Sequence, residues 1–286
     1  MQRKNFTEVT EFVFLGFSSF GKHQITLFML AGNIIIATII RIDHHLHTPM
    51  YFFLSMLASS VTVYTLVIVP QMLSSLIFHN QTISLAGCTT QMFFFVILVI
   101  NNCFLLNVMS YGRYVAISKP LRYMTIMSRG LCTQLVCGSF GTGLVMAVLH
   151  VTAMLSVPFC DTIADHFFCA IYPVVSSFVI FVPICLIFIS YTLIISSILK
   201  IAFAGGRKKT FGTCASHLTV VIVHYGCAPI AYLKPKSESS VEKDLLNLLI
   251  SVTYTIITPL LNPVVYSLRN KDVKDALSRV VGRNIS

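Results

Sequence analysis

The sequence predicts an all-α membrane protein, a bundle of seven transmembrane helices, from its composition, its apolar runs and the placement of its charges. Of the 286 residues, 56% are hydrophobic and only 10% are charged, whereas about a quarter of an average soluble domain is charged. A soluble fold of this length could not present so much apolar surface to water. The chain therefore requires lipid around it.

Seven apolar runs lie between the charged residues, and each is close to the roughly 20 residues that a helix needs to cross the hydrocarbon core. They cover residues 23–40, 51–78, 85–109, 131–158, 172–199, 211–233 and 245–268. Prolines inside these runs do not exclude helices, because neighbours in a bundle satisfy the freed backbone groups. We expect an extracellular tail at 1–22, one seven-helix domain at 23–268 and a cytoplasmic tail at 269–286.

Lysine and arginine are concentrated on one side of this arrangement. Loops 41–50, 110–130 and 200–210, with the tail from Arg269, hold 14 of the 20 Lys and Arg residues. By the positive-inside rule these segments are cytoplasmic and the N-terminus is extracellular. The net charge of +10 then reflects topology and contact with anionic lipid, and not nucleic-acid binding.

The tail after Arg269 has the pattern of a short amphipathic helix. Val273, Ala276, Leu277 and Val280 recur at helical spacing among basic residues. A helix of this kind lies on the inner surface of the membrane, with its apolar face turned toward the acyl chains.

Several motifs follow one another along the chain in a fixed order. They are Glu11–Ser18 (EFVFLGFS), Leu46–Ser55 (LHTPMYFFLS), Met109–Tyr123 (MSYGRYVAISKPLRY), Lys209–Leu218 (KTFGTCASHL) and Pro259–Lys271 (PLLNPVVYSLRNK). Together they closely resemble the signatures of vertebrate olfactory receptors, a branch of the rhodopsin-like G-protein-coupled receptors. The resemblance covers nearly the whole chain.

This resemblance implies a plasma-membrane receptor for small odorants that activates a stimulatory G protein and raises cyclic AMP. It implies no cofactor, and its partners would be an odorant, the G protein, membrane lipid and an accessory trafficking protein. By position in the family, the odorant pocket would be lined by Phe95, Val96, Val99, Ile100, Val175, Val179, Tyr225, Ala228 and Tyr232. Residues 93–100 carry no acidic group, so the pocket would favour apolar volatile molecules over amines.

The resemblance also implies a cytoplasmic switch and a G-protein face. Its residues would be Arg113, Tyr114, Tyr191, Asn262, Pro263 and Tyr266. In this interpretation Tyr191 and Tyr266 swing toward Arg113 when the sixth helix moves outward. The alternative for the Asn262–Tyr266 segment is an ordinary proline kink with its tyrosine at the membrane interface.

Gly112 stands where the family carries an acidic residue beside the arginine. The change removes a counter-charge for Arg113, and glycine costs a helix interior about 1 kcal/mol relative to alanine. Either raised basal signalling or lower stability would follow, and we expect the second.

Further family positions imply a disulfide, an N-linked glycan and no bound sodium ion. Cys88 would pair with Cys169 in an extracellular disulfide, and Asn5 would carry an N-linked glycan. Val61 stands at the family's sodium position, and an apolar side chain cannot coordinate sodium. The His166–Cys169 segment lacks the ligands for a metal site, so we expect no bound metal.

Two segments are shorter than the resemblance implies. About ten apolar residues are missing before Gly32, which leaves a first span of about 27 Å against roughly 30 Å of hydrocarbon. Insertion would then need bilayer thinning or extra residues from the tail. About 15–20 loop residues that the resemblance leads us to expect are missing after Cys169, so the chain continues almost directly into span five and the segment over the ligand pocket is strained.

Three other interpretations were weighed against a working odorant receptor. An impaired copy, retained inside the cell and signalling little, stays open. A small transporter or channel would need ionisable residues along a path, and spans two to seven have essentially none beyond His150, His217 and His224. An enzyme would need a nucleophile–base pair, which no motif supplies.

Overall fold

The computed structural model describes residues 16–77, 85–156, 173–200, 210–212, 214–215, 217–225, 257–265 and 271–283. Its α-helices are α1 (Gly16–Ile42), α2 (Pro49–Ile77), α3 (Leu85–Ser118), α4 (Tyr123–Ile126), α5 (Arg129–Ser156) and α6 (Pro173–Leu199). We call the helical residues between 210 and 225 α7, and α8 (Thr258–Pro263) and α9 (Lys271–Arg283) complete the set. Two 3-10 turns, His44–Leu46 and Pro120–Arg122, lie between α1 and α2 and between α3 and α4.

The apolar runs predicted most helix boundaries well. Helices α2, α5 and α6 begin and end within two residues of the predicted spans. Within the described part of the chain, three stretches are long and apolar enough to cross a membrane: Pro49–Ile68, Thr89–Ser118 and Arg129–Ala153. Thr26–Ile42 of α1 and Ile184–Leu199 of α6 are shorter apolar stretches. The all-helical, membrane-spanning class is therefore confirmed.

Two helices extend beyond the predicted spans. Helix α1 has 27 residues, about 40 Å at 1.5 Å per residue, because it begins at Gly16 inside the predicted tail. Helix α3 continues from the predicted end at Met109 to Ser118, so the MSYGRYVAIS part of its motif is helical. Arg113 therefore projects from a helix and not from a loop.

Helix α3 is the central element of the described bundle, in contact with α2, α5 and α6. Its inner half places Leu105, Leu106 and Met109 in a core where each is at most 2% exposed. Phe53 and Leu57 of α2 lie in the same core and are equally buried. Many side chains on the outward faces remain exposed, as expected of helices that face lipid.

A buried polar network joins three helices in the middle of the bundle. The Asn101 amide of α3 donates to Ser60 Oγ of α2 over 3.1 Å, and Ser139 Oγ of α5 donates to Asn101 Oδ1 over 2.6 Å. All three side chains are buried. In a membrane such bonds contribute modestly but fix which faces meet.

Helices α3 and α5 approach closely at Gly143. A Cβ at this position would lie 3.0 Å from the carbonyl oxygen of Ile97 and 3.3 Å from its Cα. Because these are backbone atoms, no rotamer change could make room. Glycine at this position therefore allows the two helices to approach more closely than any larger residue would.

The C-terminal helix α9 docks onto the inner end of α1 and the first inner loop. The predicted amphipathic helix is confirmed, but Val273 and Ala276 are buried in the protein core instead of facing acyl chains, and Leu277 is 41% exposed. Arg279 donates to Asp43 Oδ2 from Nη2 over 2.6 Å and from Nε over 3.1 Å. Asp43 Oδ1 also accepts from the backbone N–H of His45 over 3.0 Å. The Arg279 guanidinium holds the pKa of the Asp43 carboxyl well below its usual range.

Candidate ligand pocket and cytoplasmic switch

A small cavity lies at the centre of the bundle, between α2, α3, α7 and α8. Its volume is about 20 Å³, which holds about one water molecule and not an odorant. The lining residues are Leu57, Val61, Tyr64, Val99, Asn102, Leu106, Val220, His224, Pro259 and Asn262. These residues provide amides, an imidazole and a phenol but no carboxylate.

The predicted odorant residues on α3 lie at and above this cavity. Val99 lines it, and Ile100 is 3% exposed in the core. Phe95 is half-buried, with its ring centroid 6.2 Å from that of Tyr64. Val96 is half-buried one turn from Ile100 on the same helix.

The predicted residues from other helices are only partly described. Tyr225 is buried on α7, where its hydroxyl donates to the carbonyl oxygen of Cys103 over 3.1 Å. Val175 and Val179 belong to α6, but their side chains lie outside the description. Ala228 and Tyr232 lie outside the described residues altogether. Helix α3 and Tyr225 are therefore the described parts of the proposed pocket.

Tyr191, one of the predicted switch residues, makes a buried contact between α6 and α7. Tyr191 Oη and His217 Nδ1 are 2.6 Å apart, a hydrogen bond between α6 and α7. The two rings are nearly parallel, and the side chains are 8% and 0% exposed. Arg113 lies close enough for its charge to act on the imidazole. His217 is a residue of this site that the sequence reasoning did not assign, although it closes the KTFGTCASHL motif.

Arg113 itself is half-buried at the inner end of α3. Its Nε atom is buried and has no hydrogen-bond partner among the residues that the structure describes. Gly112 beside it is also buried, and Tyr114 is half-buried with its ring 6.4 Å from that of Tyr111. The described residues therefore give the Arg113 Nε atom no hydrogen bond, and position 112 supplies no acidic side chain.

The seventh-helix motif contributes one described side chain. Asn262 is 4% exposed and lines the cavity opposite Asn102 of α3. Pro263 ends α8, and Tyr266 lies outside the described residues. Val61 is buried in the same lining.

The predicted modification sites fall largely outside the description. Cys88 belongs to α3, but its side chain is not described, and Cys169 and Asn5 lie outside the described ranges. Among the described residues, no group of three or more His, Cys, Asp or Glu side chains is arranged to hold a metal ion. The chemistry of the described site is thus packing and hydrogen bonding between helices.

Comparison with known proteins agrees with this architecture. Residues 32–266 match the model of the 7 transmembrane receptor (rhodopsin family). The chain is 75% identical to human olfactory receptor 10J5 and 73% identical to the mouse protein of that name, with full coverage of both chains. It is 61% identical to human olfactory receptor 10J1, over all of this chain and 97% of that protein.

The alignments also bear on the missing segments. The 286 residues of this chain align with the human 10J5 protein over 312 positions. About 26 positions of that alignment therefore face gaps in this chain. This number matches the combined size of the two predicted deletions, although the alignment lengths do not place them.

Proposed function

Because the chain belongs to the olfactory-receptor branch of the rhodopsin family of seven-transmembrane receptors, we propose that it binds small apolar odorants and activates a stimulatory G protein. Membership of this family makes it a multi-pass G-protein-coupled receptor of the plasma membrane and not an enzyme. The proposal adds the ligand class, an extracellular N-terminus and the rise in cyclic AMP.

The ligand class follows from the surface that α3 presents. Phe95, Val96 and Val99 offer apolar area without a charge, and the water-sized cavity beneath Val99 is too small for an odorant. An odorant would therefore bind on the outer side of Val99, beside Phe95 and Val96 of α3. Burial of apolar area would supply most of its affinity.

A substitution at the floor of this pocket tests the ligand site. Val99→Phe would fill the space above the cavity and reduce the potency of any activating volatile by at least about fivefold, since overfilling a packed site costs about 1–3 kcal/mol. The assay is cyclic AMP production against a panel of volatile esters, aldehydes and terpenes, normalised to surface receptor. Val145→Phe on the exposed face of α5 is the control. Equal potency in both variants would contradict the pocket.

The observation that carries the coupling proposal is the buried hydrogen bond between Tyr191 and His217 near Arg113. In the described state the Tyr191 hydroxyl is paired with the His217 imidazole. Outward movement of α7 would carry His217 away and release this hydroxyl for the guanidinium of Arg113. A hydrogen bond to a charged group is stronger than one to a neutral group by about 1 kcal/mol.

Removal of that hydroxyl tests the switch. Tyr191→Phe keeps the ring but loses the bond in both states, so the net effect favours the resting state by about 1 kcal/mol, or roughly fivefold. We expect the basal GTPγS exchange of a purified stimulatory G protein to fall by this factor per folded receptor. Tyr111→Phe, at a tyrosine that is 46% exposed, serves as the control. Unchanged exchange in Tyr191→Phe would contradict this role.

The rival proposal is an impaired copy that stays inside the cell, and the roughly 26 missing alignment positions favour it. Surface staining of an N-terminally tagged chain, co-expressed with an accessory trafficking protein, separates the two. Staining of intact cells would support both the working receptor and the extracellular N-terminus. Intracellular retention that is cured by adding apolar residues before Gly32 would support the impaired copy.

A further inference from the structure

The second inner loop is mostly exposed, but Tyr123 and Ile126 are half-buried and Met127 is fully buried. It runs from Lys119 through the turn Pro120–Arg122 and the short helix α4 to Met127. Leu121 is 99% exposed and Met124 is 61% exposed, yet Met127 is 1% exposed. Met127 is therefore the most deeply buried side chain of this loop, next to Tyr123, which packs against the same core, and this burial indicates that the loop is anchored at its C-terminal end.

This methionine is buried against a glycine of α3. A Cβ at Gly112 would lie 3.1 Å from Met127 Cε, so the methionine end would have to shift by a few tenths of an ångström for alanine and farther for a larger side chain. We call the space that is bounded by the Gly112 backbone and filled by the Met127 methyl group the glycine notch. An unbranched thioether suits such an irregular gap because its torsions adapt easily.

The backbone of Met127 is held from both sides. Its N–H donates to the carbonyl oxygen of Tyr123 over 2.9 Å, which closes α4. Its carbonyl oxygen accepts from the Cys132 thiol of α5 over 3.7 Å. These bonds direct the side chain toward α3, and Met109 and Cys132 pack in the same core.

Charge does not hold the loop at this point. Within the described ranges, the ion pairs join Asp43 to His45 and to Arg279, on the other side of the inner face. Arg113, adjacent to the notch in sequence, has a buried Nε without a described partner. The contact between Met127 and Gly112 is therefore apolar, although it lies beside a guanidinium.

We propose that Met127 is a positioning residue, whose thioether end fills the glycine notch and thereby holds the second inner loop against α3. Packing thus fixes the position of the loop, whereas an acidic side chain at position 112 would have fixed it through charge. Gly112 then provides the space that the Met127 side chain fills, so the glycine is one partner of this contact and not a defect. The consequence for G-protein engagement rests on the proposed function, since this loop adjoins Arg113.

A double-mutant cycle at the two positions tests the contact in the purified full-length receptor. Met127→Ala should lower the Tm by roughly 5–10 °C, because it empties a buried site. Gly112→Leu should lower the Tm as well, because its side chain collides with Met127. The double variant should be more stable than Met127→Ala, since the leucine then occupies the vacated space. Met124→Ala and Gly141→Leu, at exposed positions, are the matched controls.

Hydrogen–deuterium exchange shows whether the loop itself is released. Amides of residues 119–127 should exchange at least about tenfold faster in Met127→Ala and unchanged in Met124→Ala. Met127→Leu should restore slow exchange, since a side chain of similar volume refills the notch. Per folded receptor, basal GTPγS exchange on a purified stimulatory G protein should change at least twofold in Met127→Ala alone.

The outcomes separate this inference from the proposed function. The positioning role would be overturned if the Tm losses of the two single variants were additive in the double variant. It would also be overturned if hydrogen–deuterium exchange of the loop amides were unchanged in Met127→Ala. Altered loop exchange with unaltered GTPγS exchange would overturn its consequence for coupling. If neither the unmodified receptor nor any variant promotes GTPγS exchange, the proposed function fails. The Tm values of the double-mutant cycle would still decide whether Met127 and Gly112 are in contact.

Discussion

Replacement of Gly143 by alanine should separate α3 from α5. The added Cβ would meet the carbonyl oxygen of Ile97 at 3.0 Å and its Cα at 3.3 Å. These atoms belong to the backbone of a long helix, so relief requires the two helices to move apart. Overpacking of this kind costs about 1–3 kcal/mol.

The same substitution at Gly141 gives the reference value. Gly141 is exposed on the same helix, and nothing lies within 4 Å of a Cβ built there. Both substitutions gain up to about 1 kcal/mol from helix propensity. The difference between Gly143→Ala and Gly141→Ala therefore isolates the collision, at about 1–3 kcal/mol or roughly 3–10 °C in Tm.

Thiol reactivity is the suitable assay, because the chain has no tryptophan and unfolding cannot be followed through one. Cys103, Cys132 and Cys214 are buried, so a maleimide dye reports their exposure as the purified receptor unfolds in detergent. We expect Gly141→Ala to unfold at or above the Tm of the unmodified receptor and Gly143→Ala below it. Equal Tm values for the two variants would refute the close approach of α3 and α5.

The remaining predictions concern the polar contacts. Ser139→Ala removes the hydroxyl that donates to the buried Asn101 oxygen over 2.6 Å, and it should lower the free energy of unfolding by about 1 kcal/mol. The control is Thr142→Val, which loses only a hydrogen bond within its own exposed helix turn and should change the Tm little. Arg279→Gln should release α9 and speed its tryptic cleavage severalfold, and wild-type protection retained in this variant would exclude the ion pair as its tether. Because the pKa of the Asp43 carboxyl is lowered, its ion pair with Arg279 persists above the ordinary aspartate range and is lost only as the pH falls through the lowered pKa. The Tm difference between wild type and Arg279→Gln should therefore be the same at pH 7 and at pH 5. A smaller difference at pH 5 would contradict the lowered pKa.

The existence and type of the helices could be predicted from the sequence, because apolar runs bounded by charge leave few alternatives in a membrane. Helix ends were less predictable where an apolar run meets a polar segment that is itself helical. Helix α3 passes through Tyr111 and Arg113 to Ser118 because nothing in that segment breaks a helix. Helix α1 begins at Gly16 for the same reason, which lengthens a span that the apolar run alone made too short.

The contacts between helices could not be predicted from one sequence. Tyr191 and His217 are 26 positions apart, and neither residue type indicates its partner. Asn101 and Ser139 lie 38 positions apart on helices whose rotation the weak amphipathic pattern does not fix. Family motifs marked Tyr191 as functional, but only the packed structure supplies the histidine that pairs with it.

The burial of Met127 against Gly112 also bears on the ionic strength that the receptor tolerates. Attraction between surface charges weakens as salt shortens the screening length, to about 8 Å at 0.15 M. A thioether packed against a glycine backbone has no counter-ions to exchange, and salts that are excluded from apolar surface strengthen such packing. The second inner loop should therefore keep its position from dilute buffer to concentrated salt, whereas a loop held by an acid–arginine pair would loosen.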